Sequence, residues 1–277
     1  DLCLYNKEHF RKLKKLISFL KTLNNIPIII QLSHSGKKGS SYVPWIKSNS
    51  PLKKNKWTTI SSSKIKKDKL WPNPKEASKK EIKQIISDFK KSAILAKKAG
   101  VDGIEIHMAH GYLLHQFLSP ISNIRNDEFG GNFNNRNLLA LNIVKKIKNI
   151  TNNKLILGAR ITATDHLENG ININQSIKFV KKLRDFGINY ICVSSGGIKT
   201  KTGLNPKKKA FRVKLAQKIK QKVNNITIGT TGNLSDLEYL DKILKNKSID
   251  IAFIGRPFLK NPNWLYNYAL KQKKNEI

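Results

Sequence analysis

His107, His110 and Tyr112 bring two imidazoles and a phenol within six positions. They stand in the run I-E-I-H-M-A-H-G-Y-L-L-H. There Ile104 and Ile106 alternate with Glu105 and His107 as they would along a strand. Three readings of the histidine pair compete. An H-x-x-H pair can ligate a metal, with His115, His34 or a carboxylate as a further ligand. It can be structural. Or both imidazoles can donate to one substrate oxygen and stabilise negative charge that develops there. The last reading requires a turn after His107, because positions i and i+3 point oppositely along a strand; Gly111 permits one. Tyr112 is either a half-buried aromatic or an acid that keeps its proton at neutral pH.

Other candidates sit at expected strand ends. Arg160 closes L-I-L-G-A-R and brings a permanent charge with five donors. It would suit an anionic ring or a carboxylate, or else a structural ion pair with Glu105. Gln31 follows Ile28-Ile29-Ile30 and offers both a donor and an acceptor, as a planar heterocycle with mixed edges requires. Two late segments, Gly229-Thr230 and Gly255-Arg256, join close-approaching backbone to a guanidinium. That pairing suits a phosphate at the ends of the last two strands of a barrel.

Helices and strands alternate throughout and can hold these residues. Apolar positions recur at helical spacing from residue 8 to 23. Ser78 and Glu81 form a capping-box pattern before a helix that stops at Gly100. Strands are expected at 28–30, 103–107, 155–160, 189–194, 226–230 and 250–254. Helices are expected near 135–149, from 175 to before 187, and near 208–223 and 235–245, with one more at the end. Six strands between helices, with polar residues gathered at the C-terminal strand ends, fit a TIM (β/α)8 barrel that lacks its first two strands. A dinucleotide-binding sheet would carry G-x-G-x-x-G after its first strand, and none is present. The expected organisation is one incomplete barrel domain over 1–277, with a long insertion at about 33–77. That insertion is either a lid or substrate wall, or a decoration.

The formal net charge of +35 admits nucleic-acid binding. However, lysines recur at 14–15, 79–80, 97–98, 145–146 and 207–209 without forming one block, so solvated surfaces are favoured and no nucleic-acid partner is expected. No apolar run is long enough to span a bilayer, so no membrane association is expected. Cys3 and Cys192 provide no C-x-x-C for an iron–sulfur or zinc site. They leave one disulfide open but fit a reducing cytoplasm better.

H-M-A-H-G-Y-L-L-H-Q-F-L-S-P-I-S-N-I-R-N-D-E-F-G-G-N-F-N-N-R resembles the signature of the old yellow enzyme family. Its H-x-A-H pair and S-P-x-x-N form are similar to the family's NADPH dehydrogenase and ene-reductase branch. I-I-Q-L-S-H-S-G-K-K, A-R-I-T-A-T-D, V-S-S-G and F-I-G-R-P follow in the family's order and spacing. The resemblance implies a TIM barrel that holds FMN noncovalently. Gln31 and Arg160 would lie at the flavin ring, and Gly229, Thr230, Gly255 and Arg256 at its phosphate. It implies that His107 and His110, with Met108 and Ala109 between them, bind the carbonyl oxygen of a small-molecule enone. Tyr112 would protonate the α-carbon or hold the acid, and NADPH would be the reductant. A homo-oligomer is also implied. Members of the family begin with two further strands, which on this reading would precede Asp1. The alternatives are a truncated, non-catalytic fragment of such an enzyme and, from another class, a basic nucleic-acid-binding barrel. A larger iron–sulfur relative would need the cysteine cluster that this chain lacks.

Overall fold

The computed structural model describes residues 2–47, 49–151, 154–199 and 209–272. Lys207 and Lys208 of the basic run, Asp1, and position 208 of the expected helix lie outside them. Helix α1 (Lys7–Leu23) is capped by Asn6, whose side chain accepts from His9 N at 2.8 Å. Strand β1 (Ile29–Leu32) follows, and then helix α2 (Pro44–Lys47). Two-residue strands β2 (Ile60–Ser61) and β3 (Lys75–Glu76) pair in parallel. Helix α3 (Lys79–Ala99) opens on the Ser78/Glu81 capping box and ends at Gly100, whose φ of +90° lies in the left-handed region.

Strand β4 (Gly103–Met108) then leads to helices α4 (Leu113–Leu118) and α5 (Phe133–Thr151). The remaining repeats are β5 (Ile156–Thr162), α6 (Ile173–Asp185), β6 (Tyr190–Ser194), α7 (Val213–Lys220), β7 (Thr227–Thr230), α8 (Leu237–Lys245) and β8 (Ile251–Ala252). Helices α9 (Arg256–Lys260) and α10 (Trp264–Lys271) come last. Six strands form one parallel sheet in the order β1-β4-β5-β6-β7-β8.

The two faces of this sheet differ in kind. Ile104, Ile106, Leu157, Ala159, Ile161, Ile191 and Val193 are fully buried against the helices, in one cluster with Phe89 of α3, Val144 of α5 and Leu183 of α6. The intervening residues point the other way, since strand side chains alternate. In register they form one row of Gln31, Glu105, Gly158 and Tyr190, and a second row of His107, Arg160, Cys192 and Gly229. Helices packed against only one face of the sheet are what a TIM barrel requires. A doubly wound sheet would cover both faces with helices.

Several expected boundaries shift. Arg160 does not end its strand; β5 continues to Thr162. The strand expected at 250–254 is only Ile251–Ala252, because β7 ends at Thr230 and the chain turns away at Gly232, leaving one further bond from Phe253 N to Thr230 O. The helix expected near 208–223 begins at Val213, since Ala210 takes a φ of +49° that no helix tolerates. No helix among the described residues is long and apolar enough to cross a membrane, and both cysteines are free.

Hydrogen bonds join the 33–77 segment to α4 and the loop that follows it. Ser62 Oγ lies 2.9 Å from the carbonyls of both Gln116 and Ser122. Arg125 donates to the carbonyls of Ser62 and Ala77 at 3.1 and 2.7 Å. The insertion is therefore tied to the loop that follows the histidine motif.

Candidate active site

Strand β4 delivers His107 to the polar face, and the chain then reverses at His110 (φ +57°) and Gly111 (φ +72°). The expected turn is present, but His110 is itself one of its left-handed residues, an arrangement that costs a non-glycine residue ~1–2 kcal/mol. Four contacts hold it there. His110 N donates to Thr162 Oγ1 at 3.1 Å, and Lys38 Nζ donates to His110 O at 2.6 Å. Gly111 N donates to His115 Nδ1 at 2.7 Å. A Cβ on Gly111 would stand 2.2 Å from Gly197 O, so the turn rests directly on the backbone that follows β6.

Within this turn, His107 Nε2 and His110 Nδ1 face each other at 3.4 Å, too long for a good hydrogen bond. His110 Nε2 is 2.5 Å from Ser194 Oγ. Burial, reinforced by the Arg160 charge, lowers His107 to about 3 and His110 to about 2. At neutral pH both rings are therefore uncharged, and each carries one N–H. They can donate hydrogen bonds but do not serve as a reservoir of protons. When Ser194 donates to His110 Nε2, the His110 proton sits on Nδ1, at the point where the two rings converge. The Tyr112 ring meets His107 edge-on, with centroids 5.0 Å apart, and Lys38 Nζ lies 5.3 Å from the Tyr112 centroid. Met108 and Ala109 are fully buried and face the core.

His115, a further ligand in the metal reading, is turned away. It is fully buried, with Nε2 2.9 Å from Asp165 Oδ1. Because its Nδ1 accepts from Gly111, its ring proton sits on Nε2 facing that carboxylate. Burial alone would raise Asp165, but the His115 interaction, Ile171 N–H and the Ser119 hydroxyl hold it below the usual carboxylate value. His34 Nδ1 accepts from Gly36 N at 3.0 Å. Among the described residues no group of three His, Cys, Asp or Glu could hold a metal.

Arg160 is next to His107 in the strand register. Its ion pair with Glu105 does not form. Glu105 accepts from Gln31 Nε2 at 2.6 Å and from Tyr190 OH at 3.1 Å. Tyr190 reaches across because Gly158 leaves room: a Cβ there would be 2.1 Å from the ring. Arg160 Nε is consequently buried without a partner. It lines a cavity of about 880 Å³ together with Arg212, Arg256 and the segments 231–235 and 253–257. Of 53 Lys and Arg residues only seven are arginine, so three of the seven in one cavity mark a site for anions.

Other expected residues stand apart from this cavity. Gln31 lies one row below Arg160 and lines a different cavity, of about 770 Å³, beside α1 and α3. Thr230 gives its hydroxyl to Val193 O at 2.9 Å, and Gly229 lies in β7 against Phe253. Gly255 and Arg256 do line the Arg160 cavity, and a Cβ on Gly255 would meet nothing within 4 Å. Sequence reasoning missed Arg212, Lys38, Ser194 as a partner of His110, and the His115–Asp165 pair. For Arg212 a signal existed, an arginine in a chain whose cations are overwhelmingly lysine.

The family model described as the NADH:flavin oxidoreductase / NADH oxidase family matches residues 1–275. An NADPH dehydrogenase of Listeria welshimeri is 35% identical over 270 residues, which are 98% of this chain and 74% of that protein. Among solved structures, a 2-naphthoyl-CoA reductase in complex with 2-naphthoyl-CoA superposes with a TM-score of 0.85 at 22% identity. The match covers 99% of this chain and 42% of the larger one. An old yellow enzyme homologue from Zymomonas mobilis gives a TM-score of 0.77 at 21% identity, covering 97% of this chain and 73% of that one.

Proposed function

Since this chain belongs to the NADH:flavin oxidoreductase / NADH oxidase family, that of the old yellow enzymes, we propose that it reduces the activated C=C bond of α,β-unsaturated carbonyl compounds. It is an oxidoreductase with FMN as its cofactor and NADPH as its reductant. Relatives of bacterial origin and two free cysteines favour a cytoplasmic setting.

The cavity chemistry suits FMN. The molecule joins a phosphate dianion to a ring that becomes anionic on reduction, and the cavity offers three guanidiniums, one with a buried, unpartnered N–H. In this reading Arg160 meets the ring's oxygen edge, with Gln31 assigned to the ring as well. Arg256, Gly255, Gly229 and Thr230 serve the phosphate end. The chemistry FMN supplies when bound is hydride transfer, in from NADPH and out to the β-carbon of the substrate.

The remaining work belongs to the chain's own side chains. His107 Nε2 and His110 Nδ1 direct their protons at the carbonyl oxygen and draw charge toward it, polarising the alkene. Met108 and Ala109 hold the spacing between them. Neutral rings suit this task, because a ring that releases no proton can tighten its hydrogen bond as the oxygen gains charge. Tyr112 supplies the proton to the α-carbon from its phenol.

The observation that carries the reading is the convergence of two uncharged imidazoles at 3.4 Å in a turn held from three other segments. Phenols mimic the developing enolate, so titration of the FMN-loaded protein with a para-substituted phenol tests it. His107→Ala with His110→Ala should weaken phenol binding at least ~100-fold while FMN stays bound. Undiminished phenol affinity in the double variant would refute the oxygen clamp.

A further inference from the structure

Arg212 has no part in the reaction described above, yet it lies in the same cavity as Arg160 and Arg256. It precedes α7 and reaches back to the end of β6, where Nε donates to Ser195 Oγ at 3.0 Å and Nη2 to Ser195 O at 3.2 Å. Its Nη1 occupies space that only a glycine leaves free, since a Cβ on Gly232 would be 2.6 Å away. The guanidinium thus stands against Ser195 and the 231–235 segment after β7, in the cavity that Arg160 also lines. No carboxylate pairs with it among the described residues. Burial lowers it to about 10, helped by the charges of Arg160 and Arg256.

Neighbouring half-buried guanidiniums without a counter-ion are unfavourable unless a ligand provides the charge. We infer that Arg212 is a second cation for the flavin ring, acting with Arg160 to favour the reduced, anionic form of the cofactor. The inference rests on the FMN assignment. Oxidised FMN brings only the phosphate's charge, close to −2 at neutral pH. A hydride from NADPH delivers two electrons and one proton to the ring. NADP+ departs, and the ring gains one net negative charge. Arg256 and Lys260, also on the cavity lining, are exposed, and solvent screens both. The phosphate end has Arg256 and the backbone of the last two strand ends, which leaves Arg160 and Arg212 for the ring.

The test is a potentiometric titration of the FMN-loaded protein, with a fluorescence titration of oxidised FMN alongside. Arg212→Gln should weaken the binding of reduced FMN about tenfold more than that of oxidised FMN, which lowers the two-electron midpoint potential by ~30 mV. Arg212→Lys, which retains the charge, should recover most of that shift. An unchanged potential in Arg212→Gln overturns the inference, and so does an equal loss of affinity for both redox forms, which would assign Arg212 to the phosphate. If Arg212→Gln takes up no FMN, Arg212→Met, which keeps the bulk without the charge, is read in its place: a potential ~30 mV lower supports the ring assignment, and an unchanged one refutes it. Failure of the unaltered protein to take up FMN is a different outcome, which defeats the cofactor assignment itself.

Discussion

His107 and His110 are unusual histidines because they stay uncharged far below the ordinary imidazole pKa. The sign of the resulting pH dependence is fixed. Between about 6.5, the unfolded value, and the folded values of about 3 and 2, the unfolded chain binds more protons than the folded one. Their contribution to stability is therefore complete above pH ~6.5 and declines as pH falls toward ~3. Denaturant titrations at a series of pH values should show this acid decline, and His107→Asn with His110→Asn should flatten it. An acid limb as steep in the double variant would remove the histidines as its source. Tyr112 makes a separate prediction. Tyr112→Phe should slow reoxidation by an enone ~10²–10⁴-fold while reduction by NADPH keeps its rate, as followed by flavin absorbance in a stopped-flow instrument. Equal slowing of both half-reactions would remove the phenol as proton donor.

At the scale of elements, the turn after β4 depends on glycines that face each other. Gly111→Ala would combine a left-handed backbone with a Cβ 2.2 Å from the Gly197 carbonyl, so it should cost clearly more than ~2 kcal/mol in urea titration and distort His110. Ser78→Ala removes only a cap and should cost ~1 kcal/mol, with no effect on ligand binding. Most of the element pattern was legible in the chain because apolar period and caps are local signals; the box at Ser78 and the stop at Gly100 both formed as expected. Strand lengths were less legible. β8 is short because its partner β7 stops first, and pairing partners are not encoded locally. The histidine turn could be expected from its spacing, but its supports could not. Lys38, Thr162 and Gly197 lie far from His110 in sequence and converge only through strand order. Glu105 was likewise one of two partners open to Arg160 in the sequence, and the space at Gly158 through which Tyr190 reaches it decides against the pair.

For the molecule as a whole, the sheet separates its tasks by face, with packing on one side and chemistry on the other. Among the described residues β1 and β8 have a single neighbour each. Strands with unpaired backbone are templates for joining another chain. A copy approaching either edge must also overcome a body carrying a formal charge of +35. That repulsion extends about 30 Å at 0.01 M salt but only about 3 Å at 1 M. Light scattering should accordingly find particles dispersed in dilute buffer and growing as inert salt is added, while scattering that stays flat to 1 M would show that charge is not what keeps the edges apart. The scattered surface lysines would on this account work as a colloidal stabiliser, keeping such strand edges apart at the concentrations of a crowded solution.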